Sequence, residues 1–474
     1  MKRLFQLLLI WLAVVEVHAS PNPTRPNLIV ILADDLGYGD LGCYGQKVIQ
    51  TPRLDRMSKE GLRFTQFYAG ATVCAPSRSV LMTGRHQGRT RVRGNAPAGN
   101  PSAQALRDSD LTFSRLLQSA GYATALIGKW GLGDVGGAES GLPGKHGFDY
   151  FFGYLNQRHA HNHFPDFLWR NEEKIVVPNQ IHPVGSEGAG YATDPVIFAD
   201  DLIAEEALRF VAQNQDKPFF LLWCPVIPHA NNERTRDLGN GAQVPDFGPY
   251  AREDWPDPDK GQAAMITRLD GYVGRLLDHL TLLGIAENTL VVFTSDNGPH
   301  NEANHEIARF APSGPFRGIK RSLTEGGIRV PAIAWWPGTV ASGETSGHVA
   351  YLGDWFATAA ELAGIAAPAG LDSLSFAPTL RGHSQEQQQT EFHYWEFHEQ
   401  GFSQAVLCAG RWKAIREKRL AAPLALFDLQ SDPGETTDVS ARHPDIIAKI
   451  EAYLTNAREE SADWAPRDPP ADSR

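Results

Sequence analysis

A chain of 474 residues with 42% hydrophobic and 21% charged side chains is long enough to bury a large core and too evenly mixed for wholesale disorder. Two domains are the first expectation at this length. A net charge of −11 excludes a global field that would draw in nucleic acid, so attraction for any anionic ligand has to be local.

Residues 1–19 are laid out like a secretory signal peptide: Lys2 and Arg3, an apolar run from Leu4 to Val15, then Val17-His18-Ala19 as a small-residue cleavage site. The mature chain is therefore expected to begin at Ser20 and to be exported, as a periplasmic or secreted protein. No later stretch is long and apolar enough for a membrane span. The four cysteines, Cys43, Cys74, Cys224 and Cys408, are too few for a disulfide scaffold. Both Asn-x-Ser/Thr triplets, at Asn22 and Asn100, have proline in the middle, which removes them as glycosylation acceptors and leans towards a bacterial setting.

Pro26 to Ala33 is a continuous apolar, β-branched run, as in a strand covered on both faces, and it ends in Asp34-Asp35. Helical signals follow from Thr51 to Gly61 and from Asp110 to Gly121. Further strand candidates run from Tyr122 to Ile127, before Lys129; from Lys217 to Cys224, before His229; and from Asn288 to Ser295, before Asp296-Asn297. Helix-like segments precede them at Leu111 to Ala120, Asp201 to Gln213 and Ala263 to Leu283. This alternation predicts an α/β fold with a large, mostly parallel sheet flanked by helices. Ligands of such sheets sit beyond the carboxyl ends of the strands, and polar groups follow four of these ends.

Another strand, Arg329 to Trp336, follows the loop carrying Lys320, and Asp354 is expected to cap a helix. A Gln-rich linker from Ser384 to Thr390 separates residues 20–382, read as the catalytic domain, from residues 383–474. That tail predicts four short strands and a helix from Pro444, a small C-terminal α+β domain.

Cys74-Ala75-Pro76-Ser77-Arg78 runs into Val80, Leu81 and Met82, so Cys74 and Arg78 fall near the start of a helix, where free N–H groups favour an anion. Asp34, Asp35, Asp296 and Asn297 are hard oxygen donors suited to Ca²⁺ or Mg²⁺, and no Cys/His cluster has zinc spacing. Beside such an ion, Arg78, Lys129 and Lys320 would form a cationic cradle, with His229 placed to protonate a departing oxygen. The run Arg85 to Arg93 could add local attraction for an anion.

The string from Cys74 to Gly84 matches Cys-x-Pro-Ser-Arg-x-x-Leu-x-Thr-Gly at every fixed position and resembles the signature of the formylglycine-dependent sulfatases. The likeness extends to Asp34-Asp35, Gly128-Lys129-Trp130, Pro228-His229, Asp296-Asn297-Gly298, Lys320 and, in the tail, Asp432-Pro433-Gly434-Glu435. The resemblance implies an alkaline phosphatase-like fold and a sulfuric ester hydrolase acting on a sulfated carbohydrate or aryl sulfate. It also implies oxidation of Cys74 to formylglycine by a formylglycine-generating enzyme, and one Ca²⁺ held by Asp34, Asp35, Asp296 and Asn297 against residue 74. In the implied cycle one hydroxyl of the aldehyde hydrate attacks sulfur, the alcohol leaves with a proton from His229 or Lys320, and the second hydroxyl expels sulfate.

The family's Gly-Lys-Trp-His motif is broken here by Gly131, so His159 or His161 is expected to replace that histidine or to contact substrate. A phosphatase or phosphodiesterase of the same superfamily, and a glycan-binding protein with impaired catalysis, are the alternatives. The first lacks its usual two-metal histidine set, and only Gly131 hints at the second.

Overall fold

The computed structural model describes residues 25–95, 101–135, 140–185, 188–399 and 401–469; the expected signal peptide lies outside them. In chain order the strands are β1 Asn27–Ala33, β2 Leu62–Tyr68, β3 Ala123–Lys129, β4 Tyr150–Tyr154, β5 Phe167–Arg170, β6 Glu173–Val176, β7 Gln180–Pro183, β8 Gly190–Asp194, β9 Phe219–Cys224, β10 Thr289–Ser295, β11 Arg329–Trp335, β12 Glu344–Ser346 and β13 Ala350–Tyr351. Eleven of these form one sheet in the order β12-β2-β11-β10-β1-β9-β3-β4-β5-β6, with β13 also on β2.

The middle of the sheet, β10-β1-β9-β3-β4, is parallel throughout. The flanks differ from the expected pattern: β11 runs antiparallel to both β10 and β2, and β5 and β6 continue antiparallel from β4. The sheet is therefore mixed around a parallel centre.

Strand β1 shows why its sequence has no polar alternation. Ile29, Ile31 and Ala33 pack into one core with the helices Ala199–Asn214 and Asp257–Leu282, while Leu28, Val30 and Leu32 pack into the other with Phe113, Leu117, Trp355 and Phe356. Both faces being covered, every residue of the strand is buried. Asp354 is the first residue of its helix, not the cap, and its carboxylate accepts the N–H groups of Tyr351 and Leu374, tying β13 and the loop at Leu374 to the helix start.

The tail forms a second sheet of four antiparallel strands, β14 Phe392–Phe397, β15 Ser403–Cys408, β16 Trp412–Arg416 and β17 Ala425–Asp428. Its side chains alternate between two partners, as strand periodicity requires. Trp395, Leu407, Ile415 and Phe427 pack on Tyr68, Val73 and Val80 beside the signature helix. Val406, Ala414 and Leu426 pack on Ile450 of the helix Pro444–Leu454. Among the described residues no helix is long and apolar enough to cross a membrane.

Candidate active site

The signature forms a helix, Cys74–Thr83, buried at every position. Pro76 stands in its first turn, where an N–H is not needed, and Gly84 closes it in a left-handed conformation (φ 62°) with its N–H donating to Val80 O. Cys74 opens this helix and Arg78 follows one turn later. The Cys74 Sγ approaches Asp34 Oδ1 at 3.2 Å and Asp35 Oδ1 at 3.9 Å.

Because β10, β1, β9 and β3 are parallel neighbours, their carboxyl ends deliver Asp296-Asn297, Asp34-Asp35, His229 and Lys129 to one place. Lys129 Nζ donates to Asp34 Oδ2 at 2.5 Å. Arg78 donates to Asp296 Oδ2 through Nε and Nη2, at 3.1 and 2.8 Å, and to Lys129 O through Nη1. Asp35 holds a left-handed backbone (φ 67°), and its N–H donates to Asp296 Oδ1. Asn297 Nδ2 donates to Asp35 Oδ1 at 2.6 Å, whereas Asn297 Oδ1 is buried with no hydrogen-bond partner.

Asp34, Asp35, Cys74 and His229 each offer a ligand atom within 4.8 Å of the others. Three buried carboxylates and an unpartnered amide oxygen are hard donors, so these residues fit a hard divalent cation. Strain at Asp35 is of the kind that persists where surrounding structure over-determines a functional position.

Burial opposes ionisation of Asp34, but the Lys129 and Arg78 charges outweigh it and hold its carboxyl well below the usual range. Burial pushes the Cys74 thiol well up, and Asp34 adds to the effect. His229 Nδ1–H donates to Ala230 O, which leaves Nε2 facing Lys320 Nζ at 3.2 Å and Asp35 Oδ2 at 3.4 Å. Burial and then the Lys320 charge keep that imidazole neutral, its pKa well below the ordinary value. Lys320 is buried too, yet Asp35 and Glu302 raise its pKa, so the ammonium persists. Its Nζ donates to both carboxylates, at 2.8 and 2.9 Å.

A family model described as Sulfatase matches residues 26–365. The chain belongs to the sulfatase family. A second model, the C-terminal domain of N-sulphoglucosamine sulphohydrolase, matches residues 318–460. The chain is 31% identical to N-acetylgalactosamine-6-sulfatase of Canis lupus familiaris over 94% of its own length and 88% of that protein's. It is 32% identical to arylsulfatase A of Homo sapiens, with 90% and 86% covered. Among solved structures, one from work on glycosaminoglycan metabolism by Bacteroides thetaiotaomicron superposes with TM-score 0.74 at 26% identity, covering 91% of this chain and 99% of that one. The PsFucS1 sulfatase from Pseudoalteromonas sp. gives 0.70 at 25%, with 94% and 92% covered. The fold is thus the alkaline phosphatase-like one, and the protein is a sulfuric ester hydrolase of a family that works through formylglycine and a metal.

This sulfatase separates its two candidate histidines. His161 joins the site: its ring stacks on His229 with centroids 4.8 Å apart and planes 13° apart, and its Nδ1 bonds the buried carboxylate of Glu233 at 2.9 Å. His159 does not. It points into the core between Tyr154 and Phe167, with Nε2 on Phe167 O, and burial lowers its pKa to about 3. The basic run does not face the site either, because Arg85 and Arg89 pair with Glu459 and Asp372, Arg91 pairs with Asp463, and Arg93 lies near Glu396. Glu233 and Glu302 were missed from sequence, since a lone polar residue in a loop or short helix carries no motif.

Proposed function

We propose that this sulfatase acts through a formylglycine made from Cys74, with Ca²⁺ held by Asp34, Asp35, Asp296 and Asn297 against residue 74. The carrying observation is the 3.2 Å approach of the Cys74 sulfur to a buried carboxylate. A thiolate there would face Asp34 without solvent to screen it, so a nucleophile at this position has to come from modification. Hydrated formylglycine offers a hydroxyl nucleophile, and a bound calcium ion supplies positive charge against developing oxyanions.

The chain's own groups do the remaining work. Arg78 and Lys129 fix Asp296 and Asp34 through the contacts above and place two cations beside the bound sulfate. Lys320 holds the proton for the departing oxygen, and the neutral His229 Nε2, 3.2 Å away, takes it up or returns it. His161, held by Glu233 against the face of His229, borders the leaving group. The leaving group is a hydroxyl of a sulfated sugar or of an aryl substrate. Residues 1–19 serve as a signal peptide that exports the chain to the periplasm or beyond, residues 20–382 are the catalytic domain, and residues 383–474 complete it.

The test is release of inorganic sulfate from sulfated monosaccharides and 4-nitrophenyl sulfate, with the matching phosphate esters in parallel. Protein coexpressed with a formylglycine-generating enzyme is expected to cleave only the sulfate esters. Faster turnover of the phosphate esters, or equal rates with and without maturation, overturns the reading.

A further inference from the structure

Gln157 opens a one-turn helix, Gln157–Ala160, that links two walls of the site. On one side the chain leaves β4 alongside the Lys129 segment, with Trp130 N–H donating to Tyr154 O and Gly131 N–H to Leu155 O, each at 2.9 Å. On the other side the turn delivers His161 to its stack on His229. Between these walls both polar atoms of the Gln157 carboxamide are out of solvent, and neither has a hydrogen-bond partner.

The carboxamide also occupies a defined space. A Cβ added to Gly131, two residues beyond Lys129, would stand 3.3 Å from Gln157 Nε2 and 3.6 Å from Oε1. Gly131 has φ +80°, a conformation that disfavours any side chain, so the room beside Gly131 is left to the carboxamide. A buried amide with neither donor nor acceptor satisfied destabilises the free protein, and a native structure that keeps one calls for an explanation. A ligand oxygen brought against the carboxamide supplies the missing partner.

We propose that Gln157 is a substrate-binding residue, its NH₂ group donating to an oxygen of the bound sulfate beside Lys129. The proposal rests on the sulfatase reading of the pocket. Sulfate presents acceptors only, so it suits this donor, and an acidic side chain in the same place would repel it.

The decisive variant is Gln157→Leu in matured protein, which keeps the volume and removes the unpaired dipole. Expected are a rise in KM of about tenfold or more, equally weaker inhibition by inorganic sulfate, and a Tm that does not fall. Wild-type KM and wild-type inhibition by sulfate overturn the proposal. Should Gln157→Leu lower Tm, the decision passes to Gln157→Glu, which preserves shape: inhibition weakened about tenfold or more supports the proposal and unchanged inhibition overturns it. Wild-type protein that releases no sulfate from any ester sinks the sulfatase reading instead. The Tm shift given by inorganic sulfate then still decides for Gln157, since loss of that shift in the variant supports it and retention overturns it.

Discussion

Cys74 Sγ and Lys129 Nζ engage the two oxygens of one carboxylate, that of Asp34, at 3.2 and 2.5 Å. Asp34 is thereby fixed from both sides, with a neutral hydrogen donor on one and a cation on the other. A residue 74 that stays a thiol has no route to the anion, so Cys74→Ala and Cys74→Ser are both expected to lose activity by about a thousandfold or more. Serine keeps a hydroxyl but has no second one to expel sulfate from a covalent ester. Mass spectrometry of the peptide spanning residue 74 in active protein should find sulfur replaced by oxygen with loss of two hydrogens. Full activity from protein with an intact thiol contradicts this.

Removal of the divalent cation is expected to silence the enzyme, because Asp34, Asp35 and Asp296 then repel one another in a buried site. Dialysis against a chelator should abolish turnover and lower Tm, and Ca²⁺ should restore both. At a free concentration about 100 times the dissociation constant the ion adds about 2.7 kcal/mol. Asn297→Ala should raise the calcium concentration needed for half-maximal activity. Zinc restoring activity better than calcium would speak against an all-oxygen donor set.

Much of this site was legible in the sequence, and particular residues show why. Strand β1 is apolar on both faces, so its end at Asp34 was marked by an abrupt change to charge. The strands ending near Lys129, His229 and Asp296 carried the same mark. Strand β2 was not legible: Leu62 to Tyr68 alternates with Arg63, Thr65 and Gln66 and follows the helix Pro52–Glu60 after a single glycine. The direction of β11 depends on where the intervening loop crosses, which no local pattern records. His159 and His161 share one short stretch, and only the phase of a single helical turn turns the first into the core and the second towards His229. Gln157 and Glu233 gain meaning from what lies opposite them in space.

Proton delivery by Lys320 and His229 matters in proportion to the basicity of the leaving oxygen. A nitrophenolate departs without a proton, whereas a sugar alkoxide does not. Lys320→Met and His229→Gln are therefore expected to lower kcat/KM for a sulfated sugar by about 10²–10⁴, and for 4-nitrophenyl sulfate far less. Steady-state rates on both substrates check the difference. Equal losses would assign the two residues to sulfate binding instead.

Lys413 on β16 fastens the tail to the loop that carries Lys320. Its Nζ donates to Glu325 Oε1 at 2.9 Å and lies 3.5 Å from Glu435 Oε1, while Glu325 N–H donates to Glu435 Oε2 and Tyr68 and Arg329 hold Glu325 Oε2. Lys413, Glu325 and Glu435 are fully buried. Lys413→Met leaves two carboxylates short of a cation and is expected to destabilise the protein by about 3–5 kcal/mol. Adding Glu435→Gln removes one of those charges and should recover part of the loss. Urea denaturation of the two variants measures it, and simple additivity of the two substitutions would show that no network exists.

His393 ties acid stability to the tail sheet. It is buried against Tyr351 and Trp395, neither ring nitrogen has a hydrogen-bond partner, and burial, reinforced by His348 and His86, lowers its pKa to about 3. The folded protein therefore keeps the ring neutral, while the unfolded chain takes up a proton below its ordinary value of about 6.5. Stability from this group is complete above that value and is lost progressively as pH falls from about 6.5 towards about 3, by about 5 kcal/mol in all. His393→Phe fills the same space without a titrating nitrogen. Its Tm is expected to match or exceed wild type at pH 7.5, with an advantage that widens steadily down to pH 4. Parallel Tm-against-pH curves for the two proteins would place the acid sensitivity elsewhere.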